Sequence, residues 1–246
     1  GGVRVMAVSN PAAPVIVGSL AYNGGSSAAV SIAVAGRYAY VGDNTVGLVV
    51  IDISNPASPT VVSTSAIVNA PWNMALSGKY LYVADGDDQV LKVIDVSNPA
   101  SPVVAGTFAP GGATPQPYSI ALAGKYAYLG DIGNGAIYIV DISNPTAPAK
   151  VATYSSGGLS PVGLFALGRY LYVADVGLGF FSLDVSNAHA TPTLVGSYAG
   201  SHYGVAVAGQ YAYVADNSGN ALVLNLRTQA TPTLVGSVAT GGNPLS

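Results

Sequence analysis

The sequence predicts an all-β chain folded as a β-propeller of four-stranded antiparallel blades with a repeat of about 42 residues. Three observations predict it. The segment at 36–43 (GRYAYVGD) recurs at 78–85, 124–131, 168–175 and 209–216, and the closing aspartates are 42, 46, 44 and 41 residues apart. A period in the forties with several short strands per unit is that of propeller blades. The Tyr-x-Tyr-Val segment alternates with a period of two and no stretch holds a 3.6-residue rhythm, so helix should be nearly absent.

Each repeat reads as four strands in order. The first is small and apolar, as at 119–123 (SIALA), which suits the crowded axis of a propeller. The second carries the Tyr-x-Tyr-Val pattern, whose alternation sets both tyrosines on one face. The third is a β-branched run, as at 47–53 (GLVVIDI), and the fourth a run such as 59–63 (PTVVS). An Ala-Gly-Lys/Arg turn joins strands one and two, and Ser-Asn-Pro-x-x-Pro joins three and four, both rich in turn formers.

The third-strand segments are LVVID at 48–52, LKVID at 91–95, IYIVD at 137–141 and FSLD at 181–184. The first three continue into Ser-Asn-Pro from Ser54, Ser97 and Ser143, and the fourth into Ser186-Asn187-Ala188. These residues resemble the LVIVD-repeat family, cell-surface propellers of bacteria and archaea. The resemblance covers essentially the whole chain and implies the fold and a surface location more than any activity. The last copy departs from it, with NLRT at 225–228 in place of Asp-Val-Ser-Asn.

Counting strands exposes a mismatch. One propeller domain over 1–246 holds full blades at 28–66, 72–108, 118–154, 162–198 and 204–238. Residues 3–20 add a sixth outer pair, a half-blade with no inner pair, and the chain ends at 241–246 where another inner strand should begin. The missing pair lies in a continuation, or another subunit supplies it, or five blades close alone and leave 3–20 as an arm. Six-bladed geometry is the favoured expectation, five-bladed the alternative. An uncovered strand edge invites pairing with another chain.

Composition narrows the function classes. Half of the 246 residues are hydrophobic and only 8% are charged, against about 25% in an average soluble domain. The net charge of −3 offers no basic footprint, so nucleic acid is not an expected partner. No apolar run reaches the length of a membrane-spanning helix. With no cysteine, disulfides and thiolate chemistry are excluded. A chain opening on Gly1-Gly2, with no signal-type run, reads as a mature product, an engineered piece or a fragment.

The reactive groups are few. There is no glutamate, and of 11 aspartates, five end the Tyr-x-Tyr strand (Asp43, Asp85, Asp131, Asp175, Asp216) and four close the third strand (Asp52, Asp95, Asp141, Asp184). A carboxylate recurring once per blade is expected to cap turns, since Asp accepts backbone N–H bonds two residues on. The remaining pair, Asp87 and Asp88, lies in a loop lacking the ligand spacing of a calcium hand, so they are weak metal candidates and a solvated turn is the better reading. His189 replaces part of a proline turn and reads as a surface loop residue; no catalytic set and no cofactor is expected.

Loops joining strands one to two and three to four are nearly uniform, whereas those at the opposite face vary. Loops on a rigid scaffold carry recognition. Trp72, Tyr118, His202 and Tyr203, from that variable face, are therefore the candidate contact residues for a ligand or partner, with packing over the axis as the plainer alternative. The expectation is a non-catalytic extracellular or cell-surface propeller, structural or adhesive. Its expected partner is itself, through the half-blade 3–20 in an oligomer or filament; the alternative is a lectin-like propeller binding a glycan or surface protein.

Overall fold

The computed structural model describes residues 2–241; the expected break at 242–246 lies outside the described residues. The chain divides into two compact units, Gly1–Thr107 and Phe108–Ser246. All the regular structure is strand except one 3-10 turn at Asn23–Gly25 among the described residues.

The first unit opens with an antiparallel pair, β1 (Val3–Ala7) and β2 (Val15–Leu20). Two four-stranded sheets follow. Blade 1 orders β3 (Ala29–Ala35), β4 (Tyr38–Asp43), β5 (Gly47–Asp52) and β6 (Thr60–Ser65); blade 2 orders β7 (Pro71–Ser77), β8 (Tyr80–Asp85), β9 (Val90–Asp95) and β10 (Val103–Phe108). The second unit holds three more. Blade 3 is β11 (Pro117–Ala123), β12 (Tyr126–Asp131), β13 (Ala136–Asp141) and β14 (Ala149–Ser155); blade 4 is β15 (Pro161–Leu167), β16 (Tyr170–Asp175), β17 (Gly179–Asp184) and β18 (Thr193–Tyr198). Blade 5 is β19 (His202–Ala208), β20 (Tyr211–Asp216), β21 (Asn220–Asn225) and β22 (Thr233–Ala239). The five blades and the half-blade are those the repeat predicts.

Local chemistry sets each blade. The turn between first and second strands has a glycine with φ between +56° and +61° at its first central position (Gly36, Gly78, Gly124, Gly168, Gly209) and no positive φ at the second, the pattern of a type II′ hairpin. Pro71, Pro117 and Pro161 each start a first strand, where a missing N–H costs no ladder bond. Each first strand then carries a bulge immediately after that residue, which re-aims the strand.

Packing follows from the two faces of the third strand. In β5, Leu48 and Val50 join Tyr40, Met74 and partly buried Leu76 in the core between blades 1 and 2, whereas Val49 and Ile51 join Tyr22, Val3 and Leu20 between blade 1 and the half-blade. A strand buried on both faces reads as a continuous apolar run, which is why LVIVD segments do not alternate. In the second unit, Tyr128 packs with Leu164 and Ala166, and Tyr172 with Val205 and Val207.

Neighbouring blades meet at fixed small residues. Ser119 Oγ donates to Pro161 O at 2.6 Å, and Ser63 Oγ to Pro99 O at 2.6 Å. At the position of Ser63, the half-blade has Gly18 and blade 4 has Gly196; a Cβ there would lie 2.0 Å from Pro56 O and 2.1 Å from Gln229 O. Outer strands thus ride against the next blade's turn, and only the smallest side chains fit.

The second tyrosines fill the wedges between blades unequally: Tyr40, Tyr128 and Tyr172 are 3–4% exposed, whereas Tyr213 is 47% exposed. The side chains that cover Tyr172 come from β19; nothing comparable covers Tyr213 among the described residues.

Candidate ligand-contact site

The strand-two aspartates do more than cap turns. Asp131 Oδ1 accepts the backbone N–H groups of Gly133 and Asn134, both at 3.0 Å, and that of Gln116 at 2.8 Å. Asp175 does the same with Gly177, Leu178 and Ser160, and Asp85 with Asp88, Asn69 and Ala70. Each buried carboxylate clamps its own turn to the segment entering the blade. In blade 1 the incoming partner is a side chain: Tyr22 Oη donates to Asp43 Oδ2 at 3.1 Å, and burial together with that carboxylate pushes the phenol up to about 12.

Blade 5 varies this clamp. His202 stands where blades 2 to 4 have proline; its register partner is Asp216, and Nδ1 lies 3.3 Å from Asp216 Oδ1. The ring is 1% exposed and stacks on Tyr198, with centroids 6.3 Å apart. Burial lowers its pKa, opposed by the Asp216 charge. His202 is therefore packed inside the blade, its ring facing Asp216.

The other candidates fall in both units. Trp72 follows Pro71 in β7 of the first unit and is half-buried. Tyr118 and Tyr203 occupy the same position of β11 and β19 in the second unit and are also half-buried. Burial raises the Tyr118 phenol, with a smaller rise from Tyr203. Tyr118, His202 and Tyr203 thus lie in the second unit and Trp72 in the first.

Asp87 and Asp88 separate as well. Asp88 is an ion partner of Lys92 and accepts from Asn69 Nδ2 at 2.5 Å. That ammonium holds the Asp88 carboxyl below its ordinary range. Lys92 Nζ also lies 2.9 Å from Asp85 Oδ2, which is fully buried, and donates to Ile67 O at 2.8 Å. The loop carboxylate so closes an internal network. Sequence reasoning missed this; the signal was the lone lysine in an LVIVD strand, at the place of Val49, Tyr138 and Phe181.

The uniform-loop edge carries a second repeated device. Arg37, Lys79, Lys125 and Arg169 pair with Asp52, Asp95, Asp141 and Asp184, and each cation lies over the first tyrosine of its strand at 5.0–5.6 Å. Each aspartate also accepts the N–H two residues on. The Arg169 guanidinium brings Asp184 down to about 2, and Lys79 does so for Asp95. Blade 5 has Gln210 and Asn225 instead, so both charges are replaced together.

Between blades 3 and 4 a groove of about 590 Å³ is lined by Tyr126, Tyr128, Arg169, Asn187 and His189. His189 Nε2 is 3.3 Å from Tyr126 Oη, and the rings meet edge-on. His189 does lie on a surface loop, as read from sequence, yet it shapes a polar aromatic groove. Among the described residues no three metal-ligating side chains gather.

The LVIVD repeat model matches residues 26–66, 70–109, 117–156, 163–200 and 199–240. No curated protein matches the chain. Among solved structures, a Bacteroides fragilis protein provisionally assigned as a 6-phosphogluconolactonase superposes with a TM-score of 0.79 at 13% identity, over 95% of this chain and 76% of that one. The Pseudomonas aeruginosa periplasmic gluconolactonase gives 0.70 at 18%, over 87% and 71%. A chain from a nidogen–laminin complex gives 0.68 at 13%, over 97% and 92%. At these identities the likeness is one of fold.

Proposed function

Because the chain belongs to the LVIVD-repeat family, we propose that it is a non-catalytic structural or adhesive β-propeller of the cell exterior, associating with copies of itself through its half-blade. The observation that carries this reading is the two-stranded sheet β1–β2, whose β1 has no second partner among the described residues. In blades 1 to 5 every third strand pairs on both sides. An open strand edge is a template for another chain, and a head-to-tail contact that does not close makes a filament.

Two further observations support it. Nine of the 11 aspartates stand at two turn positions of the repeat, and Asp131, Asp175, Asp95 and Asp184 are occupied by backbone and cation partners. The 8% charge leaves a surface of Ser, Thr, Asn, Gly and Tyr, suited to close packing of copies. The nidogen–laminin neighbour is a similar fold solved with a protein partner. Sedimentation velocity and negative-stain microscopy test the proposal. Concentration-dependent oligomers or fibres are expected, and a monodisperse monomer at high concentration overturns it.

A lectin-like role is the second reading, favoured by the half-buried Tyr118 and Tyr203 and by the Tyr126–His189 groove. A glycan array reading positive for the protein and losing signal in Tyr118→Ala would support it; a blank array removes it.

A further inference from the structure

Blade 2 alone carries a lysine inside its third strand. By register Lys92 stands where the other blades have Val49, Tyr138, Phe181 and Leu222. Its side chain is 10% exposed, and three oxygens surround the ammonium. Nζ lies 2.9 Å from Asp85 Oδ2, donates to Ile67 O at 2.8 Å and is the ion partner of Asp88 Oδ2. In blade 3, whose turn has the same length, Asn134 takes the place of Asp88 and donates Nδ2 to Asp131 at 2.8 Å. The turn that delivers Asp88 also departs from the repeat: Gln89 has φ +60°, where blade 3 has Gly135 at +61°. A non-glycine residue in that region is held there by its surroundings.

The Asp85 carboxyl is set up for attack by an amine. It is fully buried, with Oδ2 facing Nζ. Its other oxygen, Oδ1, accepts the Ala70 N–H at 3.1 Å and the Asp88 N–H at 3.3 Å. Two backbone donors on the oxygen away from the nucleophile are what an oxyanion needs. The Asn69 N–H donates to Oδ2 at 3.0 Å and steadies it as a leaving oxygen. Asp88, touching the same amine, is a carboxylate in reach of the protons that must move. Groups fixed this way react as one molecule and not as two in solution.

We propose that Lys92 and Asp85 join in an intramolecular isopeptide bond from Nζ to Cγ, with Asp88 as the proton carrier and no cofactor. A proton passes from the ammonium to Asp85 Oδ2, which removes both charges where burial disfavours them. The Nζ lone pair then attacks Cγ, and Oδ1 takes up the negative charge against the Ala70 and Asp88 N–H groups. Asp88 removes a second proton from nitrogen and passes it to Oδ2. The Cγ–Oδ2 bond breaks with its electron pair on oxygen, one water leaves, and Asp88 is again a carboxylate. The one hydrogen left on nitrogen faces Ile67 O, so the amide finds an acceptor for its N–H and two donors for its carbonyl already in place. The link ties β8 to β9 in a chain that has no cysteine, and it stands whether or not the half-blade associates.

Denaturing intact-mass spectrometry of the purified chain tests this. The chain is expected to be lighter than its sequence by one water, and tandem sequencing of a digest should find a branched peptide joining Lys92 to Asp85. Asp88→Asn keeps the Lys92–Asp85 pair, and Lys92→Arg keeps the charge without a free amine; both should return the full mass, with circular dichroism checking their folds. A parent of full mass overturns the proposal. So does a one-water deficit that survives in Lys92→Arg, which would mark ring closure of Asp85 on the Gly86 nitrogen, a group the structure instead engages with Ala70 O at 3.0 Å. A branched peptide that persists in Asp88→Asn overturns the part given to Asp88.

Discussion

Replacing the second tyrosine of the Tyr-x-Tyr strand by alanine should be costly in blade 4 and cheap in blade 5. The sequence gives no reason to separate Tyr172 from Tyr213, since both lie in YxYVAD. The structure does, through exposures of 3% and 47%, a difference of nearly half the residue. A tyrosine carries about 200 Å² of buriable surface, so the difference is roughly 100 Å², or about 2.5 kcal/mol at about 25 cal/mol per Å². Tyr172 Oη also accepts from Gln229 Nε2 at 3.0 Å, and losing that bond adds about 1 kcal/mol. Tyr172→Ala should therefore destabilise by about 3.5 kcal/mol more than Tyr213→Ala. In thermal melts of a chain this long the gap is about 7–14 °C. Urea unfolding of both variants measures it; a gap under about 1 kcal/mol would refute the argument that blade 5 lacks a covering neighbour.

The glycines of the outer strands make a parallel pair. Gly196→Val drives its side chain into Gln229 O and should cost about 1–3 kcal/mol or more, whereas Gly236→Val meets nothing within 4 Å and should stay within about 0.5 kcal/mol of the parent; melting temperatures decide. Lys92→Met removes the cation from buried Asp85, and breaking such a pair costs about 3–5 kcal/mol. The backbone donors Asn69 and Ala70 remain, which places the expected loss at the lower end, read by urea titration. His202 faces Asp216 and stacks on Tyr198, and its burial lowers its folded pKa. The unfolded chain therefore binds more protons just below the ordinary histidine pKa of about 6.5. Its contribution is complete above that value and is lost as pH falls. His202→Pro, which restores the residue of blades 2 to 4, should flatten the stability profile between about pH 5 and 7; an unchanged profile would show that another group titrates there.

The fold was legible because it is written five times. Any one copy of YxYVxD followed by an apolar run is a weak signal, but the same pattern at a fixed spacing specifies strand order, turn type and the unmatched pair at 3–20. The turn-capping aspartates were legible for the same reason. What differs between copies was not. Lys92, His202 and His189 stand out as departures, yet whether each is buried, paired or exposed depends on residues 4 to 63 positions away. The candidate set from the variable loops joined residues by face alone, and the structure buries His202, half-buries Tyr118 and Tyr203 and leaves Trp72 in the other unit.

By itself the sequence determined the blades: alternation selects the face of each side chain, glycine selects the hairpin, and repetition sets the count. Tertiary structure alone decided which of those identical blades has a neighbour. Exposure belongs to what packs against a residue, and a tyrosine carries no local mark of it. So the half-blade, first visible as an unmatched pair in the repeat, acquires a place only through Val49 and Ile51 of blade 1, which pack with its Val3 and Leu20.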